Sequence, residues 1–232
     1  MATVPDLALP AVPIELHTGD RMSRAEFHRL YEQSPPGFRA ELIGGIVYVA
    51  SPLKRRHGTN HLPLGSLFFL YEGQTPGVES ADNTTVQLGE ESEPQPDLFL
   101  RILPEYGGQS VTTIDDYIAG SPELVAEIAL SSRAIDFHAK RYDYTKHGVL
   151  EYLVFSLRDN RLHWFDLRSN QELQPDTDGV YRIRSFPGLW IHGAALVGRN
   201  GQQLMQILNQ GLATPEHTAF VSKLARARNA KA

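Results

Sequence analysis

The stretch from Gly120 to Leu157, GSPELVAEIALSSRAIDFHAKRYDYTKHGVLEYLVFSL, constrains the fold more than any other part of the chain. Its pattern predicts strand, helix, strand. LVAEIAL is an apolar run interrupted by one carboxylate, Glu127. Asp136 then opens a helical segment, and GVLEYLVFSL returns as a second strand rich in Val, Tyr and Phe. A carboxylate inside a buried strand is costly unless it is paired or holds a metal. The helix adds a second anomaly. Phe137, Lys140 and Tyr144 fall at i, i+3 and i+7, so one face presents a lysine between two aromatics. An acid on a strand and a lysine on the packed face of the next helix invite a joint explanation.

The remaining chain supplies the sheet and helices around this unit. Residues 1–20, with three prolines and little periodicity, read as an irregular arm. Met22 to Gln33 is predicted helical, with Ser23 as N-cap and Glu26 three residues on. FRAELIGGIVYVASP holds two apolar runs around Gly44-Gly45, a hairpin signal. His57 to Tyr71 reads as a helix despite Pro63 and Gly65. Short strands are expected within 77–88 and at Asp97 to Leu100, and a weak one near Val111. RLHWFDL and GVYRIRSF read as a β-meander, and Gly201 to Gly211 and Pro215 to Asn229 as two helices. The order predicts a mixed α/β or α+β fold with one main sheet.

Composition narrows the chemistry. At 232 residues the chain can bury one sizeable core, and the absence of cysteine excludes disulfides and thiolate metal sites. No apolar run reaches the roughly 18 residues of a membrane helix, and no secretory signal pattern opens the chain. No membrane association is therefore expected, and the cytoplasm is the default location. The net charge of −5 gives no general attraction to nucleic acid, so such binding would need a local basic patch.

Asp97 follows a proline and starts a strand. Alone, Pro-Asp is a turn dipeptide, Glu127 reads equally as a buried acid with a structural cation, and Lys140 as a snorkelling side chain. Together they suggest more. Two carboxylates on adjacent strands can share a hard cation such as Mg²⁺, which keeps several waters. A lysine beside them can hold an attacking water and offset charge growing on a phosphate. Glu41 is a further acid among apolar neighbours, with an outward-facing strand position as its ordinary reading. Lys54, Arg55 and Arg56, just before His57, form the densest basic cluster. It reads either as a solvated loop or as a phosphate-contacting patch. His57 and His61 have i, i+4 spacing, but the HExxH glutamate is absent and zinc is not expected.

At these residues the chain resembles a known group. E-L-I-G-G-x-V-Y-x-x-S-P, then His57, then P-D, then E-I-A-x-S-S-x-x-x-D-x-x-x-K and G-V-x-E-Y are similar to the Uma family of predicted restriction endonucleases, in the PD-(D/E)XK nuclease superfamily. The likeness spans about residues 22–195. It implies a restriction-endonuclease-like fold, with a central mixed sheet flanked by helices, and metal-dependent hydrolysis of DNA. Asp97 and Glu127 match the metal-binding acids. The position two after Glu127 is Ala129, so the lysine comes from the following helix, where Lys140 is the match. Glu41 matches the early acid that completes such a site, and His57 the histidine after S-P. The cofactor implied is Mg²⁺, with Mn²⁺ as a substitute, and a homodimer suits an enzyme that cuts both strands. The organisation expected is an arm over 1–20, a nuclease-like domain over 21–198 and a helical extension over 199–232. The alternatives are a non-catalytic binding module on this scaffold and a hydrolase of another phosphoester.

Overall fold

The apolar run Leu124–Ala129 becomes an interior strand paired on both sides, which is why all six of its residues are buried. The computed structural model describes residues 15–130 and 134–231. In chain order, α1 (Arg24–Glu32) precedes the hairpin β1 (Ala40–Ile43) and β2 (Ile46–Val49), and α2 (Arg55–Glu72) follows. Next come β3 (Val78–Asp82), β4 (Val86–Gln87), β5 (Leu98–Ile102), β6 (Val111–Thr112), β7 (Ile118–Ala119) and β8 (Leu124–Ala129). A π-helical turn, Ile135–Lys140, runs directly into α3 (Arg141–His147). The chain continues with β9 (Glu151–Ser156), β10 (Arg161–Asp166), β11 (Gln171–Leu173), β12 (Val180–Arg182) and β13 (Trp190–His192). It closes with α4 (Gly193–Val197), α5 (Gly201–Leu212) and α6 (Pro215–Lys231).

The main sheet has the order β11-β10-β9-β8-β5-β3, parallel between β8 and β9 and antiparallel elsewhere, so the expected mixed sheet is present. Side chains alternate across it. Leu124, Ala126 and Ile128 pack with Leu98, Leu100 and the α2 residues Leu64, Leu67 and Phe68 on one face. Val125 and Ala129 pack with Phe99, Tyr144, Tyr152 and Val154 on the other. The same period puts Glu127 and Asp97 on this second face, beneath the helical segment that follows β8. A third cluster joins α1 to the hairpin through Phe27, Leu30, Ala40, Leu42 and Val47.

Local signals explain most elements. Ser23 caps α1, accepting from Glu26 N at 3.3 Å. Gly44 and Gly45 take φ of +57° and +77°, the mirror-image turn that suits a two-residue hairpin. Three expectations need correction. Arg55 and Arg56 lie in the first turn of α2 and not in a loop, because Pro63 is accommodated inside an 18-residue helix. β12 leaves the main sheet and pairs with β13 alone, so the meander ends at β11. Tyr181, Ile183 and Ile191 are instead drawn onto the α2 side of the core, where Tyr181 donates to Leu162 O at 2.7 Å. The segment opening at Ile135 starts as a π-helix, so spacings counted at 3.6 residues per turn do not hold there.

Leu204 and Leu208 of α5 and Phe220 and Leu224 of α6 are buried in the same cluster as α2. A Cβ on Gly211 would lie 2.2 Å from Gly188 O, which measures how closely α5 approaches the chain before β13. Of the N-terminal arm, residues 1–14 lie outside the described residues; Leu16 is buried and Thr18 Oγ1 accepts from Val49 N at 2.9 Å. Among the described residues no helix is long and apolar enough to cross a membrane.

Candidate active site

Asp97 sits one residue before β5, and its partner strand β8 carries Glu127 across from it, as the register Leu98↔Ala126 requires. Their mutual contact is through the main chain: Asp97 N lies 3.5 Å from Glu127 Oε2, and Ile128 N donates to Asp97 Oδ2 at 2.7 Å. Lys140, at the end of the π-helical turn, reaches both Glu127 Oε1 and Glu41 Oε1 at 2.8 Å. Tyr144 OH donates to Glu127 Oε1 at 3.1 Å. Glu41 therefore faces inward, because Ala40 and Leu42 take the opposite face of β1 into the third cluster. Its Oε1 also accepts Gln95 N at 2.7 Å.

The buried face of the helical segment is Asp136, Lys140, Asp143 and Tyr144. Phe137 does not share it as the sequence spacing predicts: its ring turns toward His163 and Phe165, with centroids at 4.8 and 6.1 Å. Asp136, four residues before Lys140, shares the lysine's buried face instead.

These groups line a cavity of about 760 Å³ between the β1–β2 hairpin, the start of α2 and the ends of β5 and β8. Glu41, Asp97, Glu127, Asp136 and Lys140 stand on its wall, with Lys54 and Arg39 also bordering it. His57 Nε2 lies 3.1 Å from Asp97 Oδ2. Of the basic cluster, Lys54 borders the cavity, while Arg56 is tied to Leu157 O and Asn160 Oδ1 in the turn before β10.

Four carboxylates around one lysine set the electrostatics. Burial pushes the Glu127 carboxyl well up; Lys140 opposes this, and Asp97, Asp136 and Glu41 add to it. Burial works against the Lys140 ammonium, but Glu127, Glu41 and Asp136 outweigh it and hold Lys140 charged. Burial would also raise Asp97, yet the His57 hydrogen bond and charge, the Ile128 N–H and Lys140 hold it below the usual carboxylate range. Burial, reinforced by the charges of Glu127 and Glu41, keeps Tyr144 a neutral donor. Glu41, Asp97, Glu127 and Asp136 thus stand with Lys140 on one cavity wall.

Asp97 and Glu127, neighbours across β5 and β8, suit a hard divalent cation. Among the described residues no three His, Cys, Asp or Glu side chains enclose a metal. Two carboxylates with open oxygens beside a cavity are nonetheless the donor set of an ion that keeps several waters. Sequence reasoning missed Gln95, Asp136, Arg39 and His61. Asp136 carried a signal as the acid of D-x-x-x-K, and His61 by its spacing from His57, which serves Asp97: His61 Nε2 lies 2.8 Å from Asp97 O.

A mixed sheet with helices on both faces and a lysine–carboxylate cluster at one mouth defines a nuclease-like fold. The same fold is found in a crystal structure from Anabaena variabilis described as a "putative nuclease belonging to DUF820", which superposes with a TM-score of 0.54 at 12% identity, covering 78% of this chain and 97% of that one. Residues 24–196 match the Uma2 family, described as "Putative restriction endonuclease", and the chain belongs to that family. Comparison with curated proteins finds no match.

Proposed function

We propose that the protein is a metal-dependent endonuclease that hydrolyses DNA phosphodiester bonds, with residues 21–198 as its nuclease-like unit. The observation that carries this reading is Lys140 Nζ, 2.8 Å from Glu127 Oε1 on the wall of a cavity that Asp97 also lines. Asp97 and Glu127 would hold a divalent cation, Mg²⁺ or Mn²⁺, through the carboxylate oxygens that face the cavity. Such a cation supplies Lewis acidity toward a phosphate oxygen and lowers the pKa of a bound water.

The chain's own groups do the rest. Lys140 donates from Nζ to the attacking water and to the phosphate oxygens as charge grows on them. Glu41 and Glu127 fix that ammonium from two sides, and Tyr144 holds Glu127. Water oxygen attacks phosphorus and gives up one proton to solvent, the bond to the leaving sugar oxygen breaks, and that oxygen takes up a proton from solvent. Plasmid and linear DNA incubated with Mg²⁺ or Mn²⁺ test the reading: nicking that requires metal and Asp97 supports it, and no cleavage of any substrate by the wild-type protein overturns it.

Lys54 and Arg55, with Arg39 across the cavity mouth, are proposed to contact phosphates, and a symmetric homodimer is proposed for double-strand cutting. Neither Arg39 nor Lys54 has an acidic partner among the described residues, unlike Arg101 on Glu79 or Lys146 on Glu91. Lys54→Gln and Arg39→Gln are each expected to reduce the slope of log affinity against log salt by about 0.9, one duplex phosphate's worth. Arg226→Gln on α6 should leave it unchanged. Fluorescence anisotropy with labelled DNA in Ca²⁺ measures the slopes. The net charge of −5 favours a second reading, a non-catalytic binding module, which predicts metal binding without cleavage.

A further inference from the structure

We propose that His57 and His61 form a two-ring clamp that sets the position and rotamer of Asp97, which makes them positioning residues for the cation Asp97 would hold. The proposal rests on the nuclease reading and adds to it two residues and the reason that reading needs them. Asp97 stands one residue outside the ladder of β5, which begins at Leu98; Ile128 N donates to its Oδ2 at 2.7 Å and Asn83 N to its carbonyl oxygen at 3.3 Å, and the two histidines add a second contact at each of these atoms.

The two histidines lie one helical turn apart on α2 and therefore on one face. Their rings stack loosely, with centroids 6.0 Å apart and planes at 20°. His61 Nε2 lies 2.8 Å from Asp97 O. A carbonyl oxygen only accepts, so this nitrogen carries the proton. His57 Nε2 lies 3.1 Å from Asp97 Oδ2, a carboxylate oxygen that already accepts Ile128 N–H at 2.7 Å, so His57 donates from Nε2 as well. Both rings therefore carry a proton on Nε2.

The result is an aspartate held at its main chain by one ring and at one carboxylate oxygen by the other. Oδ2 takes two donors, and Oδ1 is the oxygen with no protein donor among the described residues. Rotating the carboxylate would break two hydrogen bonds together.

The test measures Mn²⁺ affinity by calorimetry for the wild-type protein, His57→Phe, His61→Phe, and the corresponding Gln variants. Each Phe variant is expected to weaken Mn²⁺ binding by about 10- to 100-fold, the range for groups that orient a metal ligand. Each Gln variant, which places an amide N–H near the ring donor's position, should recover part of the loss. Ring nitrogen spectra supply a readout without metal: Asp97→Asn should shift the Nε2–H resonance of His57, whose acceptor loses its charge, by more than that of His61, whose acceptor is the main-chain carbonyl. Wild-type Mn²⁺ affinity in both Phe variants, or unmoved ring resonances, would overturn the clamp while leaving the nuclease reading intact. A wild-type protein that neither binds Mn²⁺ nor cuts DNA would overturn that reading, and with it the purpose assigned to the clamp.

Discussion

Asp97→Asn is expected to lose metal-dependent DNA cleavage and to bind Mn²⁺ more than about 100-fold more weakly, a greater loss than orienting groups produce. The substitution keeps the shape of the side chain. An amide oxygen in place of Oδ2 still accepts from Ile128 N and His57, so the fold around the β5–β8 junction has no reason to change. What disappears is the negative charge. Cleavage at saturating metal and calorimetric Mn²⁺ titration measure the two effects separately. An Asp97→Asn protein that binds Mn²⁺ and nicks plasmid like the wild type would remove Asp97 from the site.

Lys140→Met carries the second large effect, and it acts on rate and stability together. Loss of a donor aimed at growing charge is expected to reduce cleavage by about 10²- to 10³-fold. Because Lys140 is buried and bonded to two carboxylates, its removal should also destabilise the fold by about 3–5 kcal/mol at neutral pH. The loss depends on pH. Without the ammonium, the charge that opposes the burial pushing Glu127 up is gone, so folding draws a proton onto that carboxyl. A group whose folded pKa exceeds its unfolded value contributes stability at low pH and loses it as pH rises through the folded value. The variant should therefore lie closest to the wild type near pH 4–5, around the ordinary carboxylate range, and fall away above it. Urea denaturation at pH 5 and pH 8 checks this. A gap between wild type and variant that does not widen with pH would mean that Glu127 is not left alone when Lys140 goes.

The sheet was legible in the sequence because its strands are short apolar runs bounded by turn residues, and Glu127 was legible because it interrupts one of them. Asp97 and Lys140 could be named since a strand start and a helix face are both periodic signals. Glu41 could be placed on β1 but not aimed, because alternation gives two faces and only the packing of Ala40 and Leu42 under α1 decides between them. The π turn was not visible: a change from i→i+4 to i→i+5 bonding leaves the pattern of residue types unaltered. Phe137 was put beside Lys140 on its i, i+3 spacing, although Asp136, four residues before the lysine, shares that face by the same rule and is the one buried there. Gln95 acts through its main-chain N–H, which no residue pattern records, and the spacing of His61 from His57 was visible without its acceptor, the Asp97 carbonyl. The meander was overextended at β12 because alternation shows that a segment can be a strand and not which strand it pairs with.

The participation of α5 and α6 in the core has a consequence for biosynthesis. Strands β3 to β11 are complete once Leu173 has been made, but one face of that sheet and the α2 side chains against it are covered only when Leu204, Leu208, Phe220 and Leu224 arrive. Chains fold as they emerge, N-terminal parts first. The nascent protein therefore carries its acids and its lysine for some fifty residues of translation, counting from Leu173 to Leu224, without the cover that holds their scaffold rigid. A nuclease assembled this way gains its cutting geometry late, as its final helices dock, and proteolysis of ribosome-stalled chains of increasing length should show protection rising sharply only past Leu224.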